Sequence, residues 1–115
     1  MSKFWKAAIG TTLLLASTMS QAGWSVLGHR DVYRVVLISP ADISNNSVYW
    51  DALRTLCLKT FCNVVFVANE NDMVVATSRQ LSKQERENAL MIYTTNSGFS
   101  WNCSLRPNAD NCFKW

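Results

Sequence analysis

The strongest constraint on this chain of 115 residues is the position of its four cysteines, which all follow a segment of signal-peptide type. That segment has two early lysines, an apolar run over residues 7–16 that is too short to cross a bilayer, and small residues at the cleavage positions in 20–22. We therefore predict a signal peptide over residues 1–22 and a single exported domain over residues 23–115. Export to the periplasm or the medium places the cysteines in an oxidising compartment.

The cysteines predict a covalent framework for the exported domain. An even number of cysteines in a small exported domain indicates two disulfides, for which three pairings exist. A domain of this size has a thin hydrophobic core, so covalent links contribute much of its stability. We favour two local pairs, one joining a helix end to the next strand and one fixing the C-terminal tail: Cys57 with Cys62, and Cys103 with Cys112.

Charge and hydropathy exclude two classes of partner from the prediction. The whole chain carries a net charge of +3, but two of its eleven basic residues lie in the leader, so nine remain against eight acidic residues and the exported part is at +1. These basic residues are scattered, whereas nucleic-acid binding requires a clustered basic face. No second apolar run reaches the roughly 18 residues of a membrane span. We expect neither a nucleic-acid partner nor a membrane span after cleavage.

Hydrophobic periodicity gives the elements of the first half of the domain. Residues 31–38 are rich in β-branched side chains and predict a strand. From Ser47 the apolar residues recur with helical spacing, which predicts a helix that ends at Lys59-Thr60. A short apolar run predicts a strand over 62–68, and residues 73–77 are interpreted as its hairpin partner.

The second half of the domain is less clearly patterned. Ser82 and Glu85 form a capping box and predict the start of a second helix. We extend that helix to about Tyr93, although residues 90–95 fit a strand equally well. Residues 99–103 alternate and predict a last strand.

The resulting order of elements is strand, helix, strand, strand, helix, strand. This order predicts a small α+β fold, a ferredoxin-like βαββαβ sandwich stapled by two disulfides, with both helices on one face of the sheet. A different α+β topology is the alternative.

Two stretches resemble small exported bacterial proteins that have no assigned activity. One runs from Leu56-Cys57 to Phe61-Cys62-Asn63-Val64-Val65-Phe66, and the other from Asn96-Ser97-Gly98 to Trp101-Asn102-Cys103. Those proteins tend to have Thr-Gly at Ser97-Gly98 and an aromatic residue at Val67. The resemblance covers about half of the exported part and implies an exported disulfide-containing domain, but no activity or site.

No catalytic, cofactor-binding or metal site is predicted. His29 is the only histidine, and although Asp31 and Ser25 are near it in sequence, no nucleophile motif accompanies them. The cysteine spacings lack the two-residue knuckle of zinc sites, and oxidation removes the thiolates that such a site needs. We therefore expect no enzyme, no cofactor and no metal.

The remaining signal is the number of aromatic residues. Most of them are expected in the core, but four lie near chain ends or on the less apolar side of the first helix and are predicted to form a binding surface: Trp24, Tyr49, Phe113 and Trp115. Exposed aromatic residues are typical of binding hot spots. We expect a small binding module that docks to or occludes a protein partner, as inhibitors and immunity proteins do. The alternatives are a small exported enzyme with His29 as its base and an accessory subunit of an envelope complex.

Overall fold

The computed structural model describes residues 23–57, 62–107, 109 and 111–113. The predicted signal peptide and Trp115 lie outside these residues. Within them the chain forms an α+β fold, a six-stranded mixed sheet with two helices, in the order ββαβαβββ. The elements are β1 (Trp24–Arg30), β2 (Tyr33–Ile38), α1 (Asn46–Leu56), β3 (Asn63–Val67), α2 (Lys83–Asn88), β4 (Ala89–Thr94), β5 (Gly98–Asn102) and β6 (Cys112–Phe113).

The strands lie in the sheet in the order in which they occur in the chain. The β2–β3 and β5–β6 pairs are parallel, and the other neighbours are antiparallel. Because a parallel pair requires a crossover connection, α1 is the element that brings the chain back from the end of β2 to the start of β3. The β1–β2 hairpin turns through two residues, the first of which, Asp31, has a φ of 57°.

The sheet separates two hydrophobic clusters because successive strand residues point to opposite faces. On one face α1 packs its buried residues against the sheet, and the buried members of this cluster are Val36, Ile38, Val48, Tyr49, Ala52, Leu53, Cys62, Val64, Phe66, Leu90, Met91 and Trp101. On the other face Met73 and Leu81 cover Val35, Val65, Val67 and Ala89. The connection between β3 and α2 thus closes the face that α1 leaves open.

A buried ion pair fixes this connection to the sheet. Arg30, at the end of β1, donates from Nε to Glu85 Oε2 at 3.0 Å and from Nη2 to Oε1 at 2.6 Å, and the two residues are only 5% and 6% exposed. Glu85 also accepts the backbone N–H groups of Val74 and Ser82, at 3.0 and 2.9 Å. One carboxylate therefore joins β1, the connection and the start of α2.

The two local disulfides are confirmed. Cys57 is bonded to Cys62 with a Cα–Cα distance of 5.4 Å, and Cys103 to Cys112 with 5.3 Å. The first link joins the end of α1 to the start of β3. The second brings β6 alongside β5, where Cys112 pairs with Trp101. No cysteine is free.

The α+β class is confirmed, but the ferredoxin-like βαββαβ order is not what the structure shows. Residues 73–77 were predicted to pair with β3 as a hairpin, and that is wrong, because this segment forms an isolated bridge, from Thr77 to Arg30, with the edge strand β1. The prediction that the second helix continues to Tyr93 is also wrong, since α2 ends at Asn88 and residues 89–94 form β4. The hairpin β1–β2 adds a strand that the sequence analysis did not contain.

Neither helix in the described ranges is both long and apolar enough to cross a membrane.

The Glu85 carboxylate is expected to make the fold sensitive to acid. Burial raises its pKa, but hydrogen bonds from Arg30, Ser82 and Val74 and the charge of Arg30 outweigh burial and lower the pKa from 4.5 to about 2. A carboxyl group with a lowered pKa in the folded state stabilises that state above its unfolded pKa, and the contribution is lost as the pH falls from about 4.5 to about 2.

Glu85→Gln is expected to lower the free energy of unfolding at pH 7 by about 3 kcal/mol, because Arg30 is left buried without a counter-charge.

Urea unfolding between pH 7 and pH 2 measures this effect. Glu87→Gln on the same helix is the matched control, because Glu87 is half exposed and its contact with Lys83 is 4.0 Å long. The control is expected to stay within about 0.5 kcal/mol of the native protein. Equal losses in the two variants would contradict the role of the buried pair.

The disulfides are expected to contribute strongly to stability. Replacing both cysteines of either pair by serine is expected to lower the free energy of unfolding by about 2–3 kcal/mol, the chain-entropy value for loops of this length.

The cysteines of the native, unreduced protein are expected to react with no alkylating reagent. Labelling of any cysteine without prior reduction would contradict the observed pairing.

Candidate functional site

An open cleft lies beside the C-terminal half of α1, and we call it the aromatic cleft. It has a volume of about 570 Å³ and is lined by Trp50, Leu53, Arg54, Cys57 and Tyr93. This volume lies within the range of about 300–1,000 Å³ in which ligand sites of proteins fall. The cleft is therefore large enough to take up a bulky side chain.

Helical spacing explains why α1 and Cys57, the residue that directly follows it, provide four of the five described lining residues. Positions 50, 53, 54 and 57 are separated by three or four residues and so lie along one side of the helix. The helix ends at this cleft, where the N–H of Cys57 donates to the carbonyl of Leu53 at 2.9 Å. Tyr93 faces them from β4, where it is paired with Val64 and Phe99.

A chain of edge-to-face aromatic contacts connects the cleft to the core. The ring of Trp50 lies 5.0 Å from that of Phe99 on β5, and Phe99 lies 6.2 Å from Trp101. Trp101 in turn lies 4.7 Å from the ring of Tyr49, which contacts Phe66 at 5.1 Å. Such contacts add to the free energy of simple burial and fix ring orientations. Trp50 is thus held in place by its neighbours, although part of its surface faces solvent.

Arg54 is the one charged residue among those that line the cleft in the described chain. Its side chain is 70% exposed, and its nearest carboxylate, Oδ1 of Asp51, is 3.8 Å away. The other oxygen of Asp51 accepts a hydrogen bond from the indole of Trp24 at 2.9 Å. An exposed ion pair of this length contributes little free energy, so the guanidinium of Arg54 can exchange it for another carboxylate.

A second arginine lies over the middle of the chain of aromatic contacts. The guanidinium carbon of Arg106 lies 4.2 Å from the ring centre of Trp101 and 5.8 Å from that of Tyr49. Its Nη1 donates to Oδ1 of Asn46, at the start of α1, at 2.7 Å. These contacts hold the loop closed by Cys103–Cys112 against the beginning of α1.

Tyr49 belongs to the core and not to a surface. It is 0% exposed, and its hydroxyl donates to the carbonyl of Ile43 at 2.7 Å. Burial raises the pKa of its phenol to about 12, although the charge of Arg106 acts in the opposite direction. The prediction of an exposed Tyr49 is wrong because this residue lies on the side of α1 that faces β3 and β5.

The other residues of the predicted surface lie apart from the cleft or outside the described residues. Trp24 is partly buried against the core of the α1 face and bonded to Asp51. The backbone of Phe113, in β6, pairs with that of Asn102, in β5. The side chain of Phe113 and the whole of Trp115 lie outside the described part. The sequence analysis missed Trp50, Arg54 and Tyr93. The spacing of 50, 53, 54 and 57 was available as a signal, whereas Tyr93 required β4 to be recognised.

The residues considered for catalysis do not form a site. His29 is exposed on β1, while Asp31 lies in the hairpin turn, so the two do not share a strand face as strand geometry would require. No hydrogen bond joins either side chain to Ser25 among the bonds of the described residues. Within those residues there is also no group of three or more His, Cys, Asp or Glu side chains close enough to hold a metal ion.

Comparison of the chain with protein-family models, with curated proteins and with solved structures finds no match. The aromatic cleft is therefore interpreted from its own geometry.

Arg106 is expected to stabilise the fold through its two contacts. Arg106→Met removes the charge above Trp101 and the hydrogen bond to Asn46, and is expected to lower the free energy of unfolding by about 1–2 kcal/mol. Thermal or urea unfolding measures the loss, with Arg79→Met as the control because Arg79 is exposed in the connection between β3 and α2. Equal stability of the Arg106 variant and the native protein would show that the stacking contributes nothing.

Proposed function

We propose that this protein is a small exported binding module that docks to, and occludes, a protein partner of the cell envelope or medium through the aromatic cleft. The observation that carries the proposal is the composition of the cleft. Tryptophan, tyrosine and arginine are the residues most enriched at binding hot spots, and here they surround one open apolar depression. A protein partner was also expected from the sequence, but the proposed contact surface consists of a different set of aromatic residues.

The construction of the cleft supports tight docking. Cys57 lines it and is bonded to Cys62, so the end of α1 is tied covalently to β3 beside the cleft. The edge-to-face contact between Trp50 and Phe99 fixes the orientation of the Trp50 ring in the wall that α1 provides. A surface that is rigid before binding loses less conformational entropy when the partner docks.

The proposed location outside the cytoplasm rests on the cysteines and on the leader. Two disulfides are stable in an oxidising compartment and rare in the cytosol. Residues 1–22 have the sequence pattern of a signal peptide. A partner in the envelope or the medium meets the protein in the same compartment.

Affinity capture with paired variants tests this function. The full chain is expressed with its own leader, recovered in its oxidised form, immobilised and exposed to envelope extract and culture supernatant. One stoichiometric protein is expected on the native protein, with at least tenfold less on Trp50→Ala and on Arg54→Glu, because truncation or charge reversal of a hot-spot residue costs that much affinity.

Lys83→Glu is the control for the charge reversal. Lys83 is 82% exposed on α2, a helix whose Glu85 belongs to the other face of the sheet. The control is expected to retain the partner at the native level. Equal retention by the native protein and both cleft variants would contradict the proposed function, and so would a column that retains nothing at high loading.

A further inference from the structure

We infer that the aromatic cleft recognises a large apolar side chain of the partner that stands next to an acidic residue, with Arg54 pairing to the carboxylate. This inference rests on the proposed function and specifies the chemistry of the partner at that site. It follows from three properties of the cleft: the character of its walls, the position of its charge and the state of the nearest carboxylate.

The walls of the cleft select an apolar group. Trp50, Leu53 and Tyr93 present ring and aliphatic surface, and the Cys57 disulfide adds a polarisable sulfur at the end of α1. Transfer of a side chain such as phenylalanine or leucine from water into such surroundings is favourable in proportion to the apolar area that is buried. A polar side chain would gain nothing comparable, because among the described lining residues only Arg54 carries a charge.

The position of Arg54 selects a negative charge beside that apolar group. Arg54 follows Leu53 directly, comes one turn after Trp50 and lines the cleft, while its side chain is 70% exposed. A carboxylate carried by the residue next to the inserted side chain would therefore meet the guanidinium at the rim. Arginine binds carboxylates with two parallel hydrogen bonds, which adds orientation to attraction.

The neighbouring acidic residue does not satisfy Arg54. Asp51 lies on the same helix, but one of its oxygens accepts the indole hydrogen of Trp24 at 2.9 Å and the other is 3.8 Å from Arg54. That separation is longer than a charge-assisted hydrogen bond, which spans about 2.7–2.9 Å. A partner carboxylate can thus form a shorter contact with Arg54 without displacing Asp51 from Trp24.

Short capped peptides test the inference on the full chain in its exported, oxidised form. Four probes are compared by isothermal titration: acetyl-Gly-Phe-Asp-Gly-amide and its versions with Phe-Asn, Phe-Lys and Ala-Asp at the centre. The Phe-Asp probe is expected to bind at least tenfold more tightly than the Ala-Asp probe, since burial of the ring drives insertion. It is expected to bind about two- to fivefold more tightly than Phe-Asn, the range for a solvent-exposed ion pair, and more tightly still than Phe-Lys.

Arg54→Gln and a matched control assign the charge preference to one residue. Arg54→Gln is expected to abolish the difference between Phe-Asp and Phe-Asn while keeping the difference between Phe and Ala. Arg79→Gln replaces an exposed arginine that does not line the cleft and is expected to leave all affinity ratios unchanged. The difference in affinity between Phe-Asp and Phe-Asn is also expected to shrink between 0.05 and 0.5 M salt, because salt screens the attraction between Arg54 and the carboxylate.

Each other outcome overturns the inference. Equal binding of Phe-Asp and Ala-Asp would show that the cleft does not recognise the apolar side chain. Equal binding of Phe-Asp and Phe-Asn would show that Arg54 does not recognise the carboxylate. Binding of free N-acetylphenylalanine with no peptide bound shows that the cleft takes a small aromatic acid instead of a protein segment. If the peptides fail while the captured partner still depends on Trp50 and Arg54, the inference alone is wrong; if the captured partner is independent of both residues, the proposed function is wrong as well.

Discussion

The packing of Tyr49 between α1 and the sheet is the interaction on which the rest of this structure depends. Its ring is fully buried and meets Phe66 of β3 and Trp101 of β5 edge to face, while its hydroxyl is bonded to the carbonyl of Ile43. This contact sets the height and rotation of α1 over the sheet. With α1 so placed, the next residue, Trp50, must point toward β5, and the cleft opens between the helix and β4.

The two faces of the sheet have different means of stabilisation. The α1 face relies on aromatic packing and on two disulfides, and it carries the cleft. The opposite face is held by a smaller aliphatic cluster and by the buried pair of Arg30 and Glu85. Such a pair adds orientation more than net stability, because desolvation of both charges offsets most of their attraction. It nevertheless fixes a long irregular connection whose buried hydrophobic residues are Met73 and Leu81.

The sequence predicted the elements with strong local signals. The strand over 62–68, the start of the helix at Ser47 and the capping box at Ser82 correspond to β3, α1 and α2 to within one or two residues. The local disulfide pairs were also predicted, because each joins residues that are already close along the chain. These features depend on local geometry, and so they can be deduced without knowledge of the tertiary fold.

The errors concern features that depend on tertiary contacts. Residues 89–94 fit a helix and a strand equally well by spacing, and pairing with β3 and β5 decides for the strand. Residues 73–77 have strand composition, but a hydrogen bond from the backbone of Val74 to Glu85 and a bridge from Thr77 to Arg30 hold them beside the edge strand β1. The predicted binding surface failed at Tyr49 for the same reason, since position near a helix start does not reveal which side the sheet covers.

Site-specific photo-crosslinking tests the central claim, that partners bind at the aromatic cleft, most directly. The photoreactive residue p-benzoylphenylalanine is placed either at Ser47, which is exposed on α1 one turn before Trp50 and on the same side of the helix, or at Val74, which is 64% exposed and belongs to the connection on the other face. The account predicts that illumination in envelope extract joins one protein to the chain modified at position 47 and none to the chain modified at position 74. Crosslinking from position 74 alone, or to the same extent from both positions, would contradict it.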